Sequence, residues 1–315
     1  MFEQRAITSI SILILVIFLG YFLRKFKTLK EDHAKLFANL ILKITLPALI
    51  FSALSQSNLS SENIMLAVVM IASQGACALI AYGAGSLLKL SRPKKGGLIL
   101  ASTFPSSAFL GYAIVREIYQ NNPGAIADAV IISELGVALP LFTFGVFIAM
   151  HFGNTNKSGS EIRREILHFL YSPIFISIVL GILFSWVRIP QKNTFISGFY
   201  ETLHLISSAN SFLVAMCIGV MLKFRGITKY ALILLIAIVI KLIMQPLFSY
   251  GQALLLDFNE TWQRISVLEA AMPTAAMTAV FAKKYGDDAD LTSVLVFATF
   301  LSSCLIMFMM LILLG

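Results

Sequence analysis

Charge is scarce in this sequence: Asp, Glu, Lys and Arg make up 13% of 315 residues, against 58% hydrophobic residues. No soluble core of this size could keep that much apolar surface from water, so the composition reads as a polytopic membrane protein. Only three cysteines occur, Cys77, Cys217 and Cys304. All three lie in apolar segments, where they behave as small hydrophobes, and this excludes a disulfide framework. The four histidines, His33, His151, His168 and His204, show no metal-ligand spacing and read as interfacial or packing residues. No paired-histidine motif, nucleophile elbow or metal-ligand cluster appears, which leaves an integral membrane enzyme with little support. Acidic residues are fewer than basic ones, and the net charge is +8. The basic residues stand in short runs between apolar spans, as topology signals do, so no nucleic-acid partner is expected.

What is present is a series of long apolar runs. Ten spans can be drawn, at 7–24, 35–54, 63–88, 97–116, 126–150, 165–187, 196–222, 230–250, 262–281 and 290–314. Each is long enough as a helix to cross about 30 Å of hydrocarbon. The first has a mixed acidic and basic start, no small-residue cleavage site, and Arg24-Lys25-Phe26-Lys27 behind it. It is expected to be a retained helix rather than a signal peptide. Of the 24 Lys and Arg residues, 17 fall in alternate connections and five in the other set with the termini. The richer set should face the cytoplasm of a bacterial inner membrane, with both termini on the opposite side.

Pro105 and Pro273 each sit near the middle of a span, and each is followed by small or hydroxyl residues, Ser106-Ser107-Ala108 and Thr274-Ala275-Ala276. Proline removes an amide donor and clashes with the preceding turn, so both helices must break or kink. Breaks in a bilayer survive where protein or water satisfies the freed backbone, and a corresponding pair points to a transporter's substrate site. The prolines are 168 residues apart, an offset that carries span 2 or 3 onto span 7 or 8. Ten spans divide into five plus five, and an odd-numbered repeat must insert its second copy upside down. The expected fold is therefore all-α, with ten transmembrane helices as two inverted five-helix repeats and broken crossover helices 4 and 9. Residues 1–150 form the first repeat, 151–164 a cytoplasmic linker with Gly, Ser and Asn, and 165–315 the second repeat.

Of the ionisable residues inside spans, four stand out: Lys43, Glu134, Lys241 and Glu269. Each costs several kcal/mol unless partnered, by about 2.5–3.5 kcal/mol on insertion scales, so each is a functional candidate; mutual pairing that pins helices is the alternative. Glu269 lies four residues before Pro273, on the face of the break. Its carboxylate and the carbonyls freed before the proline, near Ala270 and Met272, suit a hard monovalent cation, with sodium expected. Gln74 can add an amide oxygen or bond a neighbouring helix, and Glu134 and Ser107 complete the candidate cation set. Beyond each break the second half-helix presents unpaired N–H groups and a positive dipole end, which favour an anion. Pro105, Ser106, Ser107, Pro273 and Thr274 are the candidate substrate residues there, although N-capping also accounts for the hydroxyls. Lys241 can face Glu269 or Glu134, hold a substrate carboxylate, or supply in one half the charge a cation supplies in the other. Asn210 belongs to a polar patch with Ser207, Ser208 and Ser211, which suits either substrate contact or close helix packing. Lys43 shares a face of span 2 with Asn39 and Pro47 and is expected to snorkel.

The segments Phe104-Pro105-Ser106-Ser107-Ala108-Phe109-Leu110-Gly111-Tyr112 and Glu269-Ala270-Ala271-Met272-Pro273-Thr274-Ala275-Ala276 resemble the crossover segments of the auxin efflux carrier family. Thr45-Leu46-Pro47-Ala48-Leu49-Ile50-Phe51 is similar to that family too, and the similarity covers essentially the whole chain. It implies ten helices, a scaffold and a moving transport domain, and export or exchange of organic anions such as auxin-like acids, malate or malonate. The wider superfamily includes sodium–bile acid symporters, in which a similar Glu-x-x-Met segment binds sodium with help from a glutamine on the third helix. Glu269, Met272 and Gln74 match that arrangement. The chain departs from the family at Ser107, where Asn is usual after the first break, at Tyr112, where Pro often follows Gly, and in lacking the long loop of plant members.

The reading is a cation-coupled secondary transporter of a small carboxylate, sodium-coupled and working by alternating access in the bilayer, with bound sodium and no other cofactor. A proton-coupled or uncoupled exporter of auxin-like acids or dicarboxylates is the close rival, and an anion-binding membrane receptor is the alternative of another class. A homodimer is left open.

Overall fold

The computed structural model describes residues 2–30, 32–119, 122–153, 159–187, 194–221 and 230–314. Part of the expected linker, residues 154–158, lies outside them, as do six of the loop cations, Lys157, Arg188, Lys192, Lys223, Arg225 and Lys229.

The described residues are helical throughout, with no strand. In chain order the helices are α1 (Phe2–Lys25), α2 (His33–Ser55), α3 (Ser61–Leu87), α4 (Arg92–Thr103), α5 (107–118), α6 (Pro123–Phe152) and α7 (Gly159–Leu170). They continue with α8 (Pro173–Val187), α9 (Phe195–Met221), α10 (Ala231–Leu255), α11 (Glu260–Ala270), α12 (Ala276–Tyr285) and α13 (Ala289–Leu314). Five of these, α2, α3, α6, α9 and α10, are long and apolar enough to cross a bilayer, and shorter apolar stretches occupy 173–186 and 289–303. The fourth and ninth apolar runs are each divided into two short helices, α4 with α5 and α11 with α12.

Local chemistry sets these boundaries. Helix α4 opens with Ser91 at the N-cap and proline in its first turn, where a missing N–H costs nothing. It stops at Thr103 because residues before a proline are driven to extended backbone, and Phe104 has φ −98° and ψ 115°. Asn259 caps α11 by accepting the Trp262 N–H at 2.9 Å. Helices α2, α6 and α10 widen into π turns at Ile41–Thr45, Ile131–Ala138, Leu141–Gly145 and Val239–Met244. Pro47, Pro140 and Pro246 stand in or just after these turns, where each fails to donate to the carbonyl four residues earlier. Lys43, Glu134 and Lys241 all lie in these π turns, which place side chains off the regular helical register.

The chain forms two compact units. The first comprises Met1–Asn63, Tyr112–Val130 and Phe169–Leu222. In it α1 packs on the second half of α9 through Gly20 and Gly219; a Cβ on Gly20 would lie 2.9 Å from the Met216 carbonyl oxygen. Helix α8 packs on α2 at Gly181, where a Cβ would lie 2.8 Å from that of Leu54. Small residues let helix backbones approach closely where lipid gives no hydrophobic drive. Buried polar groups pair: Asn63 donates to Asp128 at 2.7 Å, and the buried Arg116 guanidinium donates to the Ser207 carbonyl.

The second unit comprises Ile64–Gly111, Ile131–His168 and Lys223–Gly315. Its apolar core joins α3, α4, α10 and α13 through Cys77, Ala81, Leu98, Ile99, Leu234 and Leu295. Both helix breaks belong to this unit.

Candidate functional site

The two breaks satisfy one another. Between α4 and α5 the backbone is extended at Pro105, and between α11 and α12 at Thr274, and the two positions form an isolated antiparallel bridge. The Ser106 N–H donates to the Pro273 carbonyl at 2.6 Å, and the Ala275 N–H donates to the Phe104 carbonyl at 2.9 Å. Backbone groups released by each proline thereby find partners in the other break, as burial away from water demands. Thr274 is held twice: its N–H donates to Thr299 Oγ1 at 3.2 Å and its hydroxyl to the Ala101 carbonyl at 2.5 Å. Neither Thr274 nor any other side chain caps α12, whose N-cap residue is Ala275.

Glu269, at the last turn of α11, is fully buried, and neither carboxylate oxygen has a hydrogen-bond partner. It lies against Gly111, where an added Cβ would overlap both oxygens, so only glycine leaves room for the carboxylate. Glu134, buried in the α6 π turn, stands close enough for its charge to repel that of Glu269. Next to it in sequence, Ser133 shares a 2.9 Å hydroxyl–hydroxyl hydrogen bond with Ser107. Gln74 enters from α3. Its amide donates to the Gly136 carbonyl at 2.6 Å and to the Met70 carbonyl at 3.2 Å, and its Oε1 is left buried without a partner. The Gly136 carbonyl is available because Pro140, four residues on, has no N–H to offer it. Elements α3, α5, α6 and α11 pack together around these groups. The result is a buried cluster rich in oxygen, with two carboxyls, an amide oxygen and two hydroxyls, a donor set that suits a hard cation better than a thiophilic one.

Lys241 takes a different place from that cluster. Fully buried in the α10 π turn, its ammonium donates to Gln245 Oε1 at 2.6 Å and to the Ala270 carbonyl at 2.9 Å. Gln245 in turn donates to the Thr103 carbonyl at 3.1 Å. Ala270 ends α11 and Thr103 ends α4, so one lysine–glutamine pair caps the negative ends of both half-helices. The sequence placed Lys241 near the breaks but left its partners open; the structure gives it carbonyl partners. Met272 is fully buried at the second break. Asn210 belongs to the first unit, where it accepts the Thr45 hydroxyl at 2.8 Å.

Gln245, Ser133 and Gly111 were not among the candidate site residues, and Gly111 entered only as part of the 104–112 segment. Gln245 carries the one available signal, four residues after an intramembrane lysine and directly before a proline. Ser133 and Gly111 are ordinary small residues whose importance comes only from what faces them.

The whole chain compares well with known transporters. Residues 5–311 match the family model described as membrane transport protein. An uncharacterized transporter of Methanocaldococcus jannaschii is 28% identical over 301 residues, covering 94% of each chain. Another from Methanothermobacter thermautotrophicus is 28% identical over 92% of each chain, and one from Escherichia coli K12 is 22% identical over 87% of this chain and 86% of its own. With its apolar helices, the chain is an integral, multi-pass membrane protein and a transporter rather than an enzyme, and it belongs to the membrane transport protein family of auxin-efflux-carrier-like proteins.

Proposed function

We propose that this protein is a secondary active transporter of a small organic anion, coupled to sodium and working by alternating access. It would have ten transmembrane helices in two inverted repeats, α4–α5 and α11–α12 as its crossover helices, and both termini outside a bacterial inner membrane. The observation that carries the reading is Glu269: a fully buried carboxylate with two partnerless oxygens at a helix break, within range of the Glu134 charge and on elements packed with the one that carries the orphaned Gln74 Oε1. Two close carboxylates in a site closed to water repel strongly, and a cation among these oxygens relieves that repulsion.

In this reading Glu269, Gln74, Glu134 and Ser107 hold sodium, with the backbone at Ala270 and Met272 nearby. The Ala270 carbonyl is already engaged by Lys241, which serves there as a tethered positive charge. The anion sits at the starts of α5 and α12, with Pro105, Ser106, Ser107, Pro273 and Thr274. Of these, Ser106 is the least buried, which suits direct contact with substrate. A cation at Glu269 would offset repulsion of an anion about 4 Å away by about 4 kcal/mol at an effective dielectric near 20, which makes binding of the two interdependent.

Proton coupling is the second reading, favoured by the burial of Glu269 within range of the Glu134 charge, since a proton on either carboxyl relieves their repulsion. Thermal unfolding of the purified protein in sodium against choline at several pH values separates the two. Sodium-specific stabilisation that disappears in Glu269→Gln is the expected result. Stabilisation by low pH alone, removed by the same variant, would replace sodium with a proton.

A further inference from the structure

The first unit contains a cavity of about 530 Å³ between α2, α8 and α9 that the transport reading does not use. Its walls are apolar, with Phe51, Leu180, Phe184, Phe199 and Leu203 among them, and Lys43 lies at one end. Phe51 packs edge-on against Phe184 and Phe199, with ring centroids 5.4 and 6.1 Å apart, and lies 6.4 Å from Tyr200. One end of the cavity is therefore walled by rigid aromatic rings and the other carries an ammonium.

Lys43 lies near the middle of α2 and is exposed, and among the described residues no carboxylate, hydroxyl or carbonyl bonds its side chain. Its neighbours Leu42 and Ile44 are exposed too, which marks this face of α2 as facing lipid rather than protein. A cation at this depth is costly unless it reaches an anion. The π turn at Ile41–Thr45 sets Lys43 off the regular helical register at the edge of the groove, and its flexible stem can climb toward the membrane surface near His33 and Lys35.

We propose that this groove is a binding site for an anionic phospholipid of the bilayer, with its phosphate at Lys43 and an acyl chain running along the groove to the Phe51 cluster. The chemistry is that of an amphiphile. The apolar walls accept a chain of any phospholipid, and selectivity between headgroups comes from the one lysine. A zwitterionic lipid offers its phosphate together with a cationic group that Lys43 repels, whereas an anionic headgroup offers the phosphate alone.

The test uses the full-length protein released from detergent into a mass spectrometer with equal amounts of phosphatidylglycerol and phosphatidylcholine of matched chains. The parent should retain phosphatidylglycerol about five-fold over phosphatidylcholine, the worth of one lysine near an anionic surface. Lys43→Gln should abolish the preference and Lys43→Arg should keep it. Each comparison is internal to one variant, so a loss of stability alone cannot imitate the result. Brominated acyl chains should quench Phe184→Trp more strongly when carried by phosphatidylglycerol, placing the chain in the groove. Equal retention of the two lipids, or a preference that survives in Lys43→Gln, would overturn the proposal. So would efficient cross-linking of Phe199→Cys between two copies in the bilayer, which would make a second copy the occupant.

Discussion

Glu269 and Gly111 meet so closely that the carboxylate occupies the space a side chain at 111 would need. Neither residue is next to the other in the chain, and the contact joins the last turn of α11 to the π turn that opens α5. A site that depends on an absent side chain makes a sharp demand on sequence. Gly111→Ala should push the Glu269 carboxylate out of the oxygen cluster. The expected outcome is loss of sodium-dependent stabilisation and of transport, with the helical content of the protein unchanged by circular dichroism. Retention of both in Gly111→Ala would show that Glu269 does not act from this position.

Lys241 ties the ends of two half-helices through Ala270 and, by way of Gln245, Thr103. Replacing it with methionine removes a buried donor and leaves the Ala270 carbonyl and Gln245 Oε1 without it. The loss should be about 2–5 kcal/mol, since two buried acceptors each lose a partner at about 1–3 kcal/mol. Gln245→Leu orphans only the Thr103 carbonyl and strips Lys241 of one acceptor, so it should cost less, about 1–3 kcal/mol. Chemical denaturation of the detergent-solubilised variants measures both. If Lys241→Met is as stable as the parent, the lysine is not the cap of these helices.

Asp287 sits outside the spans, in the turn after α12, where Gly286 adopts φ 85° and the N–H groups of residues 286 and 287 both donate to the Ala282 carbonyl. That left-handed turn is the one conformation here that calls for glycine. It places the Asp287 carboxyl against Gly96 at the start of α4, buried and with both oxygens unpartnered. Burial pushes its pKa up from 3.8 to about 8. Because the folded protein then holds the proton more tightly than the unfolded chain does, its contribution to stability is fully present below about pH 3.8 and is lost as pH rises through about 8. The melting temperature should therefore fall between pH 5 and pH 9, and Asp287→Asn should flatten that slope and exceed the parent at pH 9. A parent whose melting temperature is unchanged across this range would contradict the assignment.

Much of the architecture could be read directly from the residues. That Pro105 and Pro273 disturb their helices follows from covalent geometry, because a missing N–H and a ring clash act wherever proline stands; that the helix breaks at these two, and runs on through Pro47, Pro140 and Pro246, is seen only in the structure. The membrane class follows from composition, and the ionisable residues worth attention follow from the cost of burying charge. The partners of those residues were not legible. Sequence spacing allowed Lys241 to face either glutamate, yet it bonds the Ala270 carbonyl and Gln245 Oε1, and the charge of Glu134 acts on Glu269. Asn210 was read as either a substrate contact or a helix-packing residue, and its side-chain oxygen accepts from Thr45.

The difference has a physical origin. Local backbone chemistry acts over a few residues and is written in order along the chain, so helices and the depth of a charge are properties of the sequence itself. Which oxygen meets which proton depends on the faces that packing brings together, here α3, α5, α6 and α11 around Glu269, across separations of more than a hundred residues. Small residues such as Gly111 and Ser133 carry no signal until that packing exists, and only the tertiary structure makes them part of a site.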